Sequence, residues 1–364
     1  MKYLLSILTL FSYLGAHVLM FFTWRYFLLI TDPYLQIAIA FILLMAIILS
    51  IIAPLLIYWK DNIFSRSLYL VIGLWVGLLA NSILLAIVYY LFIIIFPSLE
   101  LNFYLRSLYI TILPILLLIP EAWSARVWKI KRIKVAIKDL PDYWVDKKII
   151  HLSDIHLGPI WRQSFFDKLL KRLDELKPEA IFITGDLFDG MEANFTWFSQ
   201  RKINTPSGVY YSFGNHDVQL GKNRVKLLLK NSGIRVLDDE LHEEKGVQII
   251  GLSFYTEKCN NLSEKIRREV KYSPSKPSIL LYHEPKDVKI IMETGIDLQL
   301  SGHTHAGQIW PFNLLIKLLY RGFVHGIYRN KDYTLSVSAG TGTWGPPLRL
   351  GSRSEIIVLQ LIKK

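Results

Sequence analysis

The sequence predicts a helical membrane region followed by an α/β domain. Residues 1–124 hold five basic and four acidic side chains, so nearly all of the formal net charge of +12 lies on residues 125–364. The same first part contains four apolar runs, each of about the 20 residues that a helix needs to cross a bilayer core. Beyond Pro141, short apolar runs typical of strands alternate with amphipathic segments, which is the pattern of an α/β domain.

The four apolar runs predict four transmembrane helices within residues 1–124. Short polar breaks such as Thr31-Asp32-Pro33 and Lys60-Asp61-Asn62 separate them. A secretory signal peptide is the alternative for the first run, but such peptides have an apolar stretch of roughly 7–15 residues and are not followed by three more runs. The runs lie at about 3–24, 35–58, 68–96 and 103–123.

Basic residues predict the orientation of these helices. Lys2, the loop at 59–67 and the cluster at 126–134 all lie on one side if the four runs cross the membrane. Because basic loops face the cytoplasm, both termini and the α/β domain are expected there, although Arg25 favours the opposite orientation. The single cysteine, Cys259, excludes an intrachain disulfide.

Residues 125–147 form a predicted basic linker that leads into a domain at 148–364. Two interpretations of its charge stay open. The basic residues either hold the domain against anionic headgroups, worth about 1 kcal/mol for each Lys or Arg, or they only fix the orientation of the preceding helix.

Metal-ligand side chains follow the predicted strands at 148–152, 180–184, 209–213, 278–282 and 298–300. Open α/β sheets present their sites at such strand ends. Imidazole and carboxylate groups suit Mn, Fe and Zn. These side chains occur in five short sequence strings. Any single string has a simpler interpretation as a buried histidine or a turn aspartate, but the five together indicate a two-metal hydrolase. The strings are Asp154-Ile155-His156, Gly185-Asp186, Gly214-Asn215-His216-Asp217, His283, and Gly302-His303-Thr304-His305.

The order of these strings resembles the calcineurin-like metallophosphoesterases, whose pattern is D-x-H, GD, GNH(D/E), a lone His and GHxH. The resemblance covers about residues 127–362, and the strings SDIHLG, YHEP and SGHTHAGQIWPF are similar to those of a bacterial, membrane-associated subgroup. It implies a β-sandwich of two sheets flanked by helices, in the order αββα. Together with the four predicted helices, it implies a multi-pass protein of the bacterial inner membrane.

The resemblance implies that two divalent cations bind with Asp186 bridging them; manganese is the first choice, and iron, zinc and magnesium are alternatives. His216 would contact the scissile phosphate and protonate the leaving oxygen. Asp217 would orient His216, and Asp189 would support the site from outside the ligand set. One cation would be held by Asp154, His156 and His305, and the other by Asn215, His283 and His303.

The expected function is a membrane-anchored phosphoesterase in which a hydroxide between two metals attacks a phosphate ester or pyrophosphate. A lipid-linked substrate is expected, because a soluble one would not require an anchor. Some enzymes that this chain resembles cleave the pyrophosphate of UDP-diacylglucosamine. A phosphodiesterase on cyclic or oligonucleotides is the alternative enzyme, and a metal-free scaffold of the same fold is the alternative from another class.

The expected partners are membrane lipids and a phosphorylated substrate. No specific nucleic-acid partner is expected, because the basic residues lack the interleaved aromatic side chains of a nucleic-acid groove. The oligomeric state does not follow from the sequence.

Two further segments have open interpretations. The apolar stretch 310–328 is either a flap beside the metals that enters the membrane or an edge element packed in the core, and the core is slightly favoured. Trp310 and Phe312 are expected near the site. Arg349 and Arg353 either bind a substrate phosphate or are surface charges.

Overall fold

The computed structural model describes residues 2–191, 193–255, 262–264, 266 and 270–364. Cys259 lies outside the described residues. The chain divides into two compact units. One consists of Met1–Trp123 together with Gly345–Leu348, and the other of Ser124–Trp344 together with Arg349–Lys364.

The first unit is helical. Within the described residues, α2, α3 and α4 are long and apolar enough to cross a membrane, which indicates membrane association. The first predicted run is also helical, and its crossing of the membrane stays a prediction. The helices are α1 (Lys2–Phe27), α2 (Pro33–Trp59), α3 (Ile63–Ile95) and α4 (Phe103–Arg126).

Polar side chains join these helices to one another. Trp75 Nε1 of α3 donates to His17 Nε2 of α1 at 3.1 Å, and Asn81 Nδ2 of α3 donates to the Pro114 carbonyl of α4 at 3.3 Å. Large apolar side chains such as Ile37 and Leu55 face outward. An apolar exterior with a few polar contacts between helices is the arrangement that a lipid environment favours.

The second unit contains two six-stranded mixed sheets, with strand orders β1-β12-β2-β3-β4-β5 and β10-β11-β9-β8-β7-β6. The first sheet consists of β1 (Lys129–Ile137), β2 (Lys148–Leu152), β3 (Ala180–Thr184), β4 (Val209–Ser212), β5 (Ile234–Val236) and β12 (Glu355–Lys363). The second consists of β6 (Glu240–Glu244), β7 (Val247–Leu252), β8 (Ser278–Tyr282), β9 (Leu298–Ser301), β10 (Gly326–Asn330) and β11 (Tyr333–Val337).

The two sheets pack face to face, and helices cover their outer faces. Phe182 of β3 and Ile279 of β8 belong to the core between the sheets. Leu169 of α5 packs in the core outside the first sheet, and Ile291 of α9 packs outside the second. The predicted αββα sandwich is confirmed. The helices of this unit are α5 (Gln163–Leu176), α6 (Asn215–Leu220), α7 (Lys222–Leu229), α8 (Leu262–Glu264), α9 (Val288–Glu293) and α10 (Phe312–Leu319).

The prediction of a linker at 125–147 is wrong for its central part. Residues Lys129–Ile137 form β1, which pairs in parallel with β12. Val135 and Ile137 are fully buried in the core with Trp144. The alternation of lysine with apolar residues is that of a strand with one solvated face, and the density of basic residues concealed this pattern.

The favoured core interpretation of 310–328 is also wrong for most of the segment. None of the residues of α10 is buried, whereas β10 does form an edge strand of the second sheet. An apolar run of eight residues does not reveal from sequence alone whether protein or lipid covers it.

We expect Ile137→Ala to lower the free energy of unfolding of the second unit by about 2–5 kcal/mol, because a buried strand residue would leave a cavity. Lys134→Ala on the exposed side of the same strand is the matched control, expected to stay within about 0.5 kcal/mol. Denaturant titration of the detergent-solubilised chain measures both. Equal stabilities for the two variants would mean that residues 129–137 are not part of the folded domain.

Candidate metal centre

The predicted ligands lie just past the carboxyl ends of strands from both sheets. Asp154, Asp186 and Asn215 follow β2, β3 and β4, while His283 and His303 follow β8 and β9. In a face-to-face sandwich, these ends meet along one edge. The structure therefore brings all five sequence strings to one place.

The backbone at these positions is unusual. Five of the ligand residues have the left-handed conformation, which favours glycine and is otherwise concentrated at functional sites. Gly214 is required for a different reason, since a Cβ there would lie 2.1 Å from Asp186 Oδ1. The five ligand residues with the left-handed conformation are Asp154 (φ 52°), His156 (φ 52°), Asp186 (φ 50°), His303 (φ 67°) and His305 (φ 48°).

Asp154, His156 and His305 form the first group of donor atoms. His156 Nε2 lies 3.1 Å from His305 Nε2, and His305 Nε2 lies 3.3 Å from Asp154 Oδ1. All three side chains are buried. The three donor atoms lie within 4.8 Å of one another, as the ligands of one cation do.

Asp186, Asn215, His283 and His303 form the second group. His283 Nε2 lies 3.1 Å from Asp186 Oδ2, 3.2 Å from Asn215 Oδ1 and 3.2 Å from His303 Nδ1. Asp186 Oδ2 is also 3.8 Å from His156 Nε2 of the first group. The Asp186 carboxylate thus stands between the two groups, where a bridging ligand is expected.

The chemistry of the donors fits two divalent cations. Imidazole nitrogens that face each other at 3.1–3.2 Å cannot all be proton donors, and a shared cation would satisfy their lone pairs. Asp154 and Asp186 are at most 1% exposed, and buried carboxylates are stable only when paired or bound to metal. The set contains nitrogen and oxygen and no thiolate, which suits Mn, Fe or Zn.

The profile of the family described as calcineurin-like phosphoesterase matches residues 147–307. A metallophosphoesterase of Aquifex aeolicus is 30% identical over 228 residues, which cover 59% of this chain and 84% of that protein. The chain belongs to the calcineurin-like metallophosphoesterases. The names of the family and of its members are those of phosphoesterase hydrolases, and the family implies divalent metal ions.

Two other relatives are more similar in sequence to this chain than the Aquifex aeolicus protein is. An uncharacterized metallophosphoesterase of Campylobacter jejuni is 37% identical over 239 residues, 64% of each chain. A bovine "transmembrane protein with metallophosphoesterase domain" is 34% identical over 253 residues, which cover 63% of this chain and 56% of the relative. The chain thus aligns with somewhat less than two thirds of the length of these relatives.

The pKa values of two neighbouring imidazoles in the metallophosphoesterase site, those of His283 and His303, differ sharply. Burial lowers the pKa of His283, but the charge and hydrogen bond of the Asp186 carboxylate, together with Asp154 and the Thr184 carbonyl, raise that pKa to about 10. Burial and the adjacent His283 lower the pKa of His303 to about 3. His303 is therefore neutral, with a lone pair available for a metal. The negative charge of the Asp186 carboxylate favours a positive charge beside it, which a bound cation would supply.

His216 lies beside both groups of donors. Its Nδ1 donates to the Asp189 carbonyl at 3.1 Å, and its ring centroid is 5.0 Å from that of His156. Because the carbonyl fixes the proton on Nδ1, Nε2 is the nitrogen that is able to carry a proton to a substrate. Its role as the general acid stays a prediction.

The predicted role of Asp217 is wrong. Its carboxylate does not orient His216 but accepts backbone N–H groups of Asp186 at 2.6 Å, Phe188 at 3.0 Å and Gly214 at 3.0 Å. The side chain lies in the first turn of α6, where a carboxylate folds back onto free backbone donors. Asp217 therefore holds together the two loops that carry Asp186 and Asn215.

Asp189 contacts the ligand set as predicted. Its Oδ1 accepts from His156 Nδ1 at 3.1 Å, which leaves His156 Nε2 facing the other donors. Burial lowers the pKa of His156, and the hydrogen bond to Asp189 is the largest of the effects that raise it above its usual value. Such an outer carboxylate fixes the ring and strengthens it as a ligand.

Arg349 follows neither of its two sequence interpretations. It is buried, and its guanidinium donates to the carbonyls of His305, Ala339 and Gly342. Arg349 therefore links the segment 339–349 to the loop that carries the predicted ligand His305. Arg353 is half-buried, and a substrate contact for it stays a prediction.

Sequence reasoning missed Glu284 and Tyr320. Glu284 Oε1 lies 3.7 Å from His303 Nε2, and the Tyr320 ring centroid is 5.8 Å from that of His303. The YHEP string, in which Glu284 follows His283 directly, carried a signal for the first. No local signal identifies Tyr320, because the turn after α10 brings it to the site.

We expect Asp189→Asn to weaken divalent-metal affinity by about 10–100-fold, because the amide is a poorer partner for the His156 N–H. Competition with a fluorescent chelator measures the affinity. Asp238→Asn is the control, since that carboxylate pairs with Lys222 and Lys226 and belongs to neither donor group. Equal affinity in both variants would contradict a supporting role for Asp189.

Proposed function

We propose that this chain is a membrane-anchored dimetal phosphoesterase that hydrolyses a phosphate ester or pyrophosphate bond of a lipid-linked or membrane-surface substrate. The observation that carries the proposal is the convergence of seven nitrogen and oxygen donors in two groups, with the Asp186 carboxylate between them. Arrangements of this kind suit in-line displacement at phosphorus.

Bound divalent cations would neutralise the phosphate and activate a water molecule as the nucleophile. The residues of the chain supply the remaining requirements. Asp186 and Asp154 set the charge of the pocket, and Asp217 fixes the loops that present Asp186 and Asn215. His216, with Nδ1 held by the Asp189 carbonyl, directs Nε2 toward the leaving oxygen and donates a proton to it.

Membrane association supports a substrate that resides at the bilayer. Three apolar helices precede the domain, and only two residues separate the end of α4 at Arg126 from the start of β1 at Lys129. A domain on so short a link meets lipid-borne substrates at high local concentration. A nucleotide-activated diacylglucosamine such as UDP-diacylglucosamine exemplifies the class, since it joins a pyrophosphate to acyl chains.

A phosphodiesterase acting on cyclic or oligonucleotides is the second candidate. The basic charge of residues 125–364 favours it, because cationic domains attract polyanions. A metal-free scaffold is disfavoured, because all seven donor side chains are present and convergent.

One comparison of variants and substrates tests the proposal. Asp186→Asn should abolish hydrolysis of bis(p-nitrophenyl) phosphate, and His216→Ala should slow it by about 10²–10⁴-fold. His242→Ala is the control, a histidine paired with Glu244 outside the two donor groups. The purified full-length protein in mixed micelles should also turn over UDP-diacylglucosamine faster than cyclic AMP or a dinucleotide.

Unchanged turnover in Asp186→Asn would end the two-metal account. A higher kcat/KM for the nucleotides than for the lipid would select the second candidate and reject the lipid substrate.

A further inference from the structure

The surface helix α10 exposes an almost entirely apolar side. None of its residues is buried, and five of its eight side chains are large apolar groups with half or more of their surface exposed. Soluble surfaces rarely carry so continuous a patch without a partner. The exposed fractions are 55% for Phe312, 60% for Leu314, 51% for Leu315, 77% for Leu318 and 53% for Leu319.

The polarity of α10 is the reverse of that of a helix packed on a core. Asn313 faces the domain, since its Oδ1 is buried and its Cα lies against Gly307, in the loop after His305. The leucines face away from the domain. A surface helix in water normally buries its apolar stripe and exposes its polar residues. The orientation of α10 is stable only where the outside is also apolar.

Charged and aromatic neighbours identify the partner as a lipid surface. Lys317 and Arg321 lie one turn apart at the end of the helix, and Trp310, 40% exposed, precedes it. Leucine and phenylalanine combined with tryptophan and basic residues are typical of helices that lie in a bilayer interface, where anionic headgroups attract the cations. Only residues 127 and 128 lie between α4 and β1 in the chain, so the domain has a short tether to the apolar helices.

We propose that α10 inserts its apolar side chains into the interfacial layer of the bilayer to which the preceding helices anchor the chain. The helix leads directly to the metal centre, because Tyr320 at its C-terminal cap packs against His303. This docking holds the metal centre at the level of the lipid headgroups. It does not depend on the proposed reaction, and its test does not measure hydrolysis.

Spin labels on the full-length protein in liposomes that contain anionic lipid test this proposal. A Cys259→Ser background receives Leu318→Cys on α10, with Leu314→Cys as a second position. Leu227→Cys is the matched control, a leucine of α7 in the same domain that is 70% exposed. Because all three side chains face outward, the thermal midpoint of each variant should equal that of the background chain.

The labels at 318 and 314 should collide with oxygen more than with a water-soluble nickel chelate, and the label at 227 should show the opposite. A label at 318 as accessible to nickel as the one at 227 would overturn the proposal. So would a label shielded from both reagents with spin–spin broadening, because it would show that a second copy of the chain covers α10. If Leu318→Cys does not fold, the same criteria apply to Leu314→Cys.

Discussion

The structure of the catalytic unit depends on the burial of the Asp186 carboxylate between two clusters of imidazoles. A carboxylate with 1% of its surface exposed requires compensating charge, and the chain provides it only in part. His283 Nε2 lies 3.1 Å from the Asp186 carboxylate, and the His216 backbone N–H donates to that carboxylate. The Asp217 carboxylate accepts the backbone N–H of Asp186 and so fixes the position of that residue. The divalent cations that the family implies would complete the balance, so the geometry that makes the site costly in stability also suits it to binding metal.

The architecture explains why the ligands occur as short strings. Parallel strands of both sheets end along one edge, and the turns there must bring a backbone within contact distance of a carboxylate, as Gly214 approaches Asp186. Left-handed residues such as Asp154 and His303 direct their side chains inward immediately after a strand. A ligand next to a glycine at a strand end is thus a consequence of geometry, and such strings are visible in a single sequence.

The elements governed by local patterns were predicted closely. The bounds of β2, β3 and β8 agree with the sequence prediction, because buried strands are continuous apolar runs. The seven ligand candidates also lie together. The failures concern long-range contacts. The pairing of β1 with β12 joins residues more than 200 positions apart. Asp217 and Arg349 each bond to the backbone of a distant loop, at Asp186 and at His305 respectively. The exposure of α10 depends on its environment.

The proposed contact of α10 with lipid would place the site at a bilayer, but the central claim concerns the metals. Anomalous diffraction from crystals of the manganese-loaded chain, recorded on both sides of the manganese edge, tests that claim most directly. The account predicts two peaks about 3.5–4 Å apart, one beside Asp154 and the other beside His283, with Asp186 between them. A single peak, or peaks remote from these side chains, would contradict it.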